Sequence, residues 1–285
     1  MLPLLLVSLI WAFSFGLIKR HLAGVDSTFV AATRLGLSLL VFLPFLRLRH
    51  LDARAIASLA GIGAIQFGVM YLAYIESFHF LQAYEAALFT ITTPIFVTLF
   101  ADALDRRFRP WALAAALLAV AGTAVVVLRA TQLQLTLTGL LLVQLSNAAF
   151  AVGQVLYRQW RAARPEVPDH HVFALLYAGA FVIAGAGMAT RDISVTLGNA
   201  QLLTLLYLGV LASGAGFFLW NLGATRVGAG QLAVMNNAKV PLGVTVALLC
   251  FGEQANLPAL AASGVVLGAA VWLAGRPFSP SRSRR

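Results

Sequence analysis

Ten apolar runs, each close to the length a helix needs to cross a bilayer, constrain this chain more than any motif does. They lie near residues 2–18, 27–46, 55–77, 82–103, 110–128, 136–157, 171–189, 199–223, 229–251 and 257–274, with only short polar breaks between them. A span takes about 20 mostly apolar residues, and no break is long enough to form a soluble domain. Lys19, Arg20 and His21 close the first run, and Arg47, Arg49, His50 and Asp52 follow the second. Backbone polar groups in lipid must be satisfied within the segment, so such runs fold as helices. The predicted fold is an all-α polytopic membrane protein with ten transmembrane helices. The amino terminus lacks the basic stretch of a secretory leader, and its first run reads as a retained span.

The charges agree with lipid as the main solvent. Charged residues make up 11% of the 285 and hydrophobic ones 60%, where a soluble domain carries about 25% charged residues. The net charge of +10 does not point to nucleic acid, because the basic residues sit in the breaks rather than along one stripe. One set of alternate loops, with the basic 276–285 tail, holds 14 Lys and Arg, and the other set holds 4. That bias places both termini in the cytoplasm and the protein in an inner membrane. Cys250 is the sole cysteine, so no intrachain disulfide forms.

The chain also repeats itself. Ser8–Arg20 resembles Ser146–Arg158 in its placement of small, aromatic and basic residues. Asp26 and Gly36 then match Asp169 and Gly179, and Gly63, Gly68, Tyr71 and Tyr74 match Gly209, Gly214, Phe217 and Trp220. Pro94 matches Pro241, Asp105 matches Glu253, and Pro110 matches Pro258. Each unit (1–130 and 136–275) holds five spans. Five is odd, so the second unit enters from the opposite side, giving two inverted five-helix repeats, a frequent construction of secondary transporters.

Trp11-Ala-Phe-Ser-Phe, Arg34 in the second run, Pro94 and Pro241, and Gly252-Glu253 before the last run resemble EamA-type members of the drug/metabolite transporter superfamily. The resemblance covers the whole chain. It implies ten helices, a central substrate cavity and export, with aromatic amino-acid exporters the most similar members. Multidrug and nucleotide-sugar carriers share the fold and stand as the alternative. Asp105-Arg106-Arg107 departs from the Gly-Glu common at that corner in the superfamily.

Ionisable groups at membrane depth are costly and mark function or pairing. Arg34 lies at a level that Glu76 or Glu85 can reach, which predicts a structural ion pair. Lys239 lies near the midplane, and none of the ten acidic residues falls at its depth. Three resolutions stand for it: a neutral amine, solvation by water and by carbonyls freed near Pro241, or an anionic group of the substrate. Asn236 shares a helical face with Lys239, as Asn147 does with Gln154. Tyr71, Tyr74 and Phe78 form a stripe that Phe217 and Trp220 repeat. With Trp11, Ser14, Tyr84 and Asn221, these residues outline a moderately polar substrate pathway with aromatic walls. For each residue alone, helix packing is the plainer role. Gly264 and Gly268 form a small-residue pattern that serves packing within a monomer or a weak homodimer contact.

No His-Glu-x-x-His, phosphate-cradling Gly-x-x-x-x-Gly-Lys or Gly-x-Ser-x-Gly occurs. Neither a metal, ATP nor another cofactor is therefore expected, and an intramembrane enzyme is the reading of another class. The predicted partners are a small solute and membrane lipid.

Overall fold

The computed structural model describes residues 1–22, 24–49, 51–77, 79–81, 89–128, 136–191, 195–251 and 257–275. Among them the chain is helical and holds no strand. α1 (Leu2–His21) has Pro3 in its first turn, where a missing N–H is harmless. α2 (Ser27–Phe42) is capped by Asp26, whose carboxylate accepts the Phe29 N–H at 2.8 Å. α3 (Ala53–Gly63) is capped likewise by Asp52 through the Ala55 N–H at 2.9 Å. Each cap contributes about 1 kcal/mol.

α3 continues into a wider π segment, π1 (Ala64–Val69), and then into α4 (Met70–Ser77). The second half does the same: α9 (Asn199–Leu206) opens into π2 (Tyr207–Ala215) and closes into α10 (Gly216–Ala224). Such wide turns interrupt the regular carbonyl ladder and tend to sit at functional positions.

Prolines interrupt two other runs. Thr90–Thr92 form a 3-10 turn ahead of α5 (Thr93–Asp105), which carries Pro94 in its first turn. α11 (Ala229–Met235) is separated by a turn at residues 236–238 from α12 (Lys239–Phe251), which carries Pro241. A proline ring clashes with the carbonyl four residues earlier, and those residues, Thr90 and Asn237, lie in the two breaks. The run at 229–251 is therefore not the single helix expected. The remaining helices are α6 (Pro110–Leu128), α7 (Leu137–Ala162), α8 (Asp169–Ala189) and α13 (Leu257–Ala274).

Among the described residues five helical stretches are long and apolar enough to cross a membrane: Thr28–Phe45, Ala53–Ser77, Leu137–Ala162, Asp169–Ala189 and Asn199–Ala224. Leu2–Ile18, Pro110–Ala124 and Leu260–Ala274 are shorter apolar helices. Leu40, Leu137, Val182, Leu249, Val265 and Trp272 stand largely exposed on the outside. Exposing a large apolar side chain to water costs about 1.5–3 kcal/mol, a cost that hydrocarbon removes.

Helix contacts run in matched sets. α2 packs on α8; α2 also packs on π2, and α8 on π1. α4 packs on α7 and α10 on α1, while α5 packs on α7 and α12 on α1. α6 packs on α13. The centre is filled by fully buried Phe67, Tyr157, Phe173, Tyr177 and Trp220.

At the α5–α6 corner, Arg106 caps α5 in the left-handed region at φ 50°. Asp102 closes the turn by accepting the Arg109 N–H at 2.9 Å and its guanidinium at 2.8 Å. Asp105 accepts from the same guanidinium and from Gln159 at 3.3 Å. In this chain, then, the Asp105 corner is closed by arginine.

Candidate functional site

The freed carbonyls of π2 organise the centre. Trp11 on α1 donates its indole N–H to the Ala212 carbonyl at 2.8 Å, and Ser38 on α2 donates to the Gly209 carbonyl at 2.8 Å. The Tyr177 hydroxyl on α8 reaches the Ser213 and Gly214 carbonyls at 2.9 and 2.6 Å. Arg34 donates from Nε to the Ser213 hydroxyl at 3.0 Å and lies over the Tyr71 ring at 4.9 Å. In a medium without water, donors from three other helices satisfy the widened turn.

Beside it, Gln66 in π1 and Asn221 in α10 exchange hydrogen bonds at 2.8 and 3.1 Å, both fully buried. Gln154 on α7 accepts the Trp220 indole N–H at 2.9 Å and stands 3.4 Å from Asn236 Nδ2. Trp11, Phe150, Phe217 and Trp220 pack together, with the two indoles 5.0 Å apart. Lys239 brings its ammonium within 5.7 Å of the centre of the Trp11 ring and is half-buried there. A cation against an indole face is favourable, more so when desolvated. Among the described residues no carboxylate pairs with it.

Of the predicted pathway residues, the structure therefore brings Trp11, Gln154, Trp220, Asn236 and Lys239 together, with Asn221 tied to Gln66 nearby. Ser14 turns back on its own helix, donating to the Ile10 carbonyl at 2.9 Å. Asn147 is held by the proline break, donating to the Phe89 carbonyl at 2.8 Å and to Thr92 at 3.0 Å. Asn237 serves the same break, donating to the Ile91 carbonyl at 2.9 Å. Tyr71 faces Ser213 and Phe217, whereas Tyr74 packs beside Leu81 and Val143. Tyr84, Glu85 and Phe78 lie outside the described residues.

Of the two acids expected within reach of Arg34, Glu85 lies outside the described residues and Glu76 pairs elsewhere. Glu76 accepts from Arg191 at 2.9 Å, and Arg191 also approaches Asp26 at 3.8 Å. Glu76 stands at the end of α4, level with the end of α8, while Arg34 points into the bundle toward π2.

Sequence reasoning missed Ser213 and Tyr177, because nothing in the pattern around residues 207–215 announces a π turn. Among the described residues no three His, Cys, Asp or Glu side chains converge on one point. What the centre can offer is a cation, carboxamides and indole faces, the means to hold a small anion with a flat polar body.

The family model described as "EamA-like transporter family" matches this chain twice, over residues 1–128 and 137–275. The chain is 44% identical over 274 residues, 95% of it and 96% of the relative, to the "Probable biotin transporter" of Pseudomonas aeruginosa. It is 40% identical over 292 residues, 99% of it and 95% of the relative, to the "Biotin transporter" of Escherichia coli strain K12. The "Biotin transporter" of Salmonella typhimurium is 40% identical over 287 residues, 97% of this chain and 93% of the relative. A solved structure described as "Crystal structure of protein" has the same fold, with a TM-score of 0.80, 20% identity and 96% of each chain covered.

Proposed function

The chain belongs to the EamA-like transporter family, and from that premise we propose that it carries biotin, or a close monocarboxylate, across an inner membrane. Lys239 against the Trp11–Trp220 pair is the observation that carries this reading. Biotin presents one carboxylate and a flat ureido ring with N–H donors and a carbonyl. Lys239 takes the carboxylate, the indoles cover the ring, and the Gln154 and Asn236 carboxamides, which both donate and accept, meet the ureido group.

Aromatic amino acids share the carboxylate and a flat side chain, and the aromatic centre suits them too. They also carry an α-ammonium. Among the described residues the centre offers that ammonium no carboxylate, and Lys239 repels it, so an anion without a positive group is the better fit.

The architecture in this reading is ten spans in two inverted five-helix units, with alternating access between them. Supporting it are a π segment in each half, a break four residues before Pro94 and Pro241, and the twofold match of the family model. The arginine-rich loops and both termini face the cytoplasm.

Reconstituted protein should move labelled biotin across liposomes without altering it. Lys239→Met should lower that flux at least about tenfold, the loss of one desolvated charge-assisted bond, while membrane yield and melting temperature stay put. Excess phenylalanine or tryptophan competing as well as biotin would move the substrate class to amino acids. Flux with and without an imposed pH gradient separates proton coupling from facilitated diffusion.

A further inference from the structure

Four polar residues of α7 form one stripe. Asn147, Gln154, Arg158 and Arg161 follow one another at spacings of seven, four and three residues, which places them within about 60° of a single helix face. Gln154 meets Trp220 and Asn236, and Trp220 packs on Trp11, which the Lys239 ammonium approaches. One turn further on, about 6 Å along the axis, Arg158 lines a cavity of about 330 Å³ between α5, the end of α7 and Thr225.

The charges around that cavity are not equivalent. Asp105 is occupied by Arg109 and Gln159. Arg161 donates to Asp169 at 2.9 Å. Arg158 donates to a main-chain carbonyl, that of Val227, at 2.9 Å. Among the described residues no carboxylate forms an ion pair with it, although Asp105 shares the cavity wall and attracts it at longer range. A guanidinium has five N–H donors in a planar fork that fits a carboxylate with two parallel bonds. The guanidinium is also held at the wall of this cavity, on the helix face that carries Gln154 one turn away.

We propose that Arg158 is a second anion site, on the cytoplasmic side of the centre, which holds the substrate's carboxylate before it reaches, or after it leaves, Lys239. This rests on the carrier reading above and adds a residue that sets affinity from one side only. It also gives the substrate class a charge requirement at the mouth: a neutral analogue gains nothing from Arg158.

The test compares Arg158→Gln and Arg158→Lys with wild type in right-side-out and inverted membrane vesicles, using labelled biotin with unlabelled biotin or biotinamide as competitor. The cytoplasmic-side half-saturation for biotin should rise about tenfold in Arg158→Gln, the equivalent of one charge-assisted bond. Arg158→Lys should recover part of it. Biotinamide competition and the opposite-side half-saturation should not move. Uptake by wild type with an unchanged cytoplasmic-side value in Arg158→Gln would overturn the inference alone. So would an equal loss for biotin and biotinamide, or on both sides, since those mark a structural arginine. Failure of wild-type vesicles to carry biotin would overturn the carrier reading and this inference with it.

Discussion

π1 and π2 occupy the same place in the two halves and are held by different forces. α3, which runs into π1, lies on α8 backbone to backbone: a Cβ on Gly63 would collide with the Leu176 carbonyl oxygen, and one on Gly179 with that of Ala60, while in π1 a Cβ on Gly68 would press on Ile183 of α8. π2 is held by side chains instead, with Trp11, Ser38 and Tyr177 donating to four of its carbonyls. A glycine contact leaves no slack, because close-packed interiors do not deform continuously. A hydrogen-bonded latch can be remade one bond at a time. The first π segment therefore reads as a fixed wall, and the second as the wall able to adjust around the Trp11–Lys239 centre.

Substitutions can break this contrast, and the largest effect belongs to the glycine wall. Gly63→Val should cost 3 kcal/mol or more, roughly the upper range for overpacking, and abolish folded protein in the membrane fraction. Gly185→Ala, where an added Cβ meets nothing within 4 Å, should leave yield and melting temperature unchanged. If Gly63→Val folds normally, the wall is no wall.

The Gln66–Asn221 pair, which ties π1 to α10, comes next. Gln66→Leu or Asn221→Leu alone leaves a buried amide without its partner, at about 1–3 kcal/mol. The double substitution should recover most of that loss in thermal unfolding in detergent. Two losses that simply add would show that the amides do not act as a pair.

Smaller still is Tyr177→Phe, which strips the Ser213 and Gly214 carbonyls of a donor. About 1 kcal/mol of stability should go, and the transport rate should change more than the half-saturation concentration. A change in half-saturation alone would deny π2 its adjusting role.

The α5–α6 corner gives the smallest effect. Burial pushes the Asp105 carboxyl up, but hydrogen bonds from Arg109 and Gln159 outweigh it and hold the group below its ordinary value. A depressed carboxyl stabilises the fold above its unfolded pKa, and that contribution is lost as pH falls through the depressed value. Because Asp105 is partly exposed, Asp105→Asn should cost only a few tenths of a kcal/mol at neutral pH, as for screened surface pairs. The difference from wild type should vanish only once the pH has fallen through that depressed value, below the ordinary carboxylate range. A difference that persists in acid would mean that the side chain acts by packing.

Much of this was legible in the residues. Freed carbonyls near Pro241 were expected, although the runs at 82–103 and 229–251 read as single spans. Lys239 stood out because its depth matched no acid in the chain. The centre itself was only half legible. Trp11, Gln154, Trp220 and Asn236 were chosen for type and spacing, and so were Ser14 and Asn147, which turn to main-chain carbonyls instead. Tyr177 read as one more apolar-run tyrosine, since a hydroxyl's partner on another helix leaves no trace in local spacing. Of the two acids placed within reach of Arg34, Glu76 pairs with Arg191 instead, because depth fixes a level and not a direction around the helix axis.

By itself the sequence determined helices, lipid as their solvent and which groups would be expensive to bury, since each follows from transfer energies summed along the chain. It could not determine which carbonyls π turns would free, which donors would take them, or which of two arginines would meet Glu76. Those are settled by rotation of helices about their own axes. Only close packing between distant segments fixes that rotation, and with it the meeting of Lys239 and Trp11.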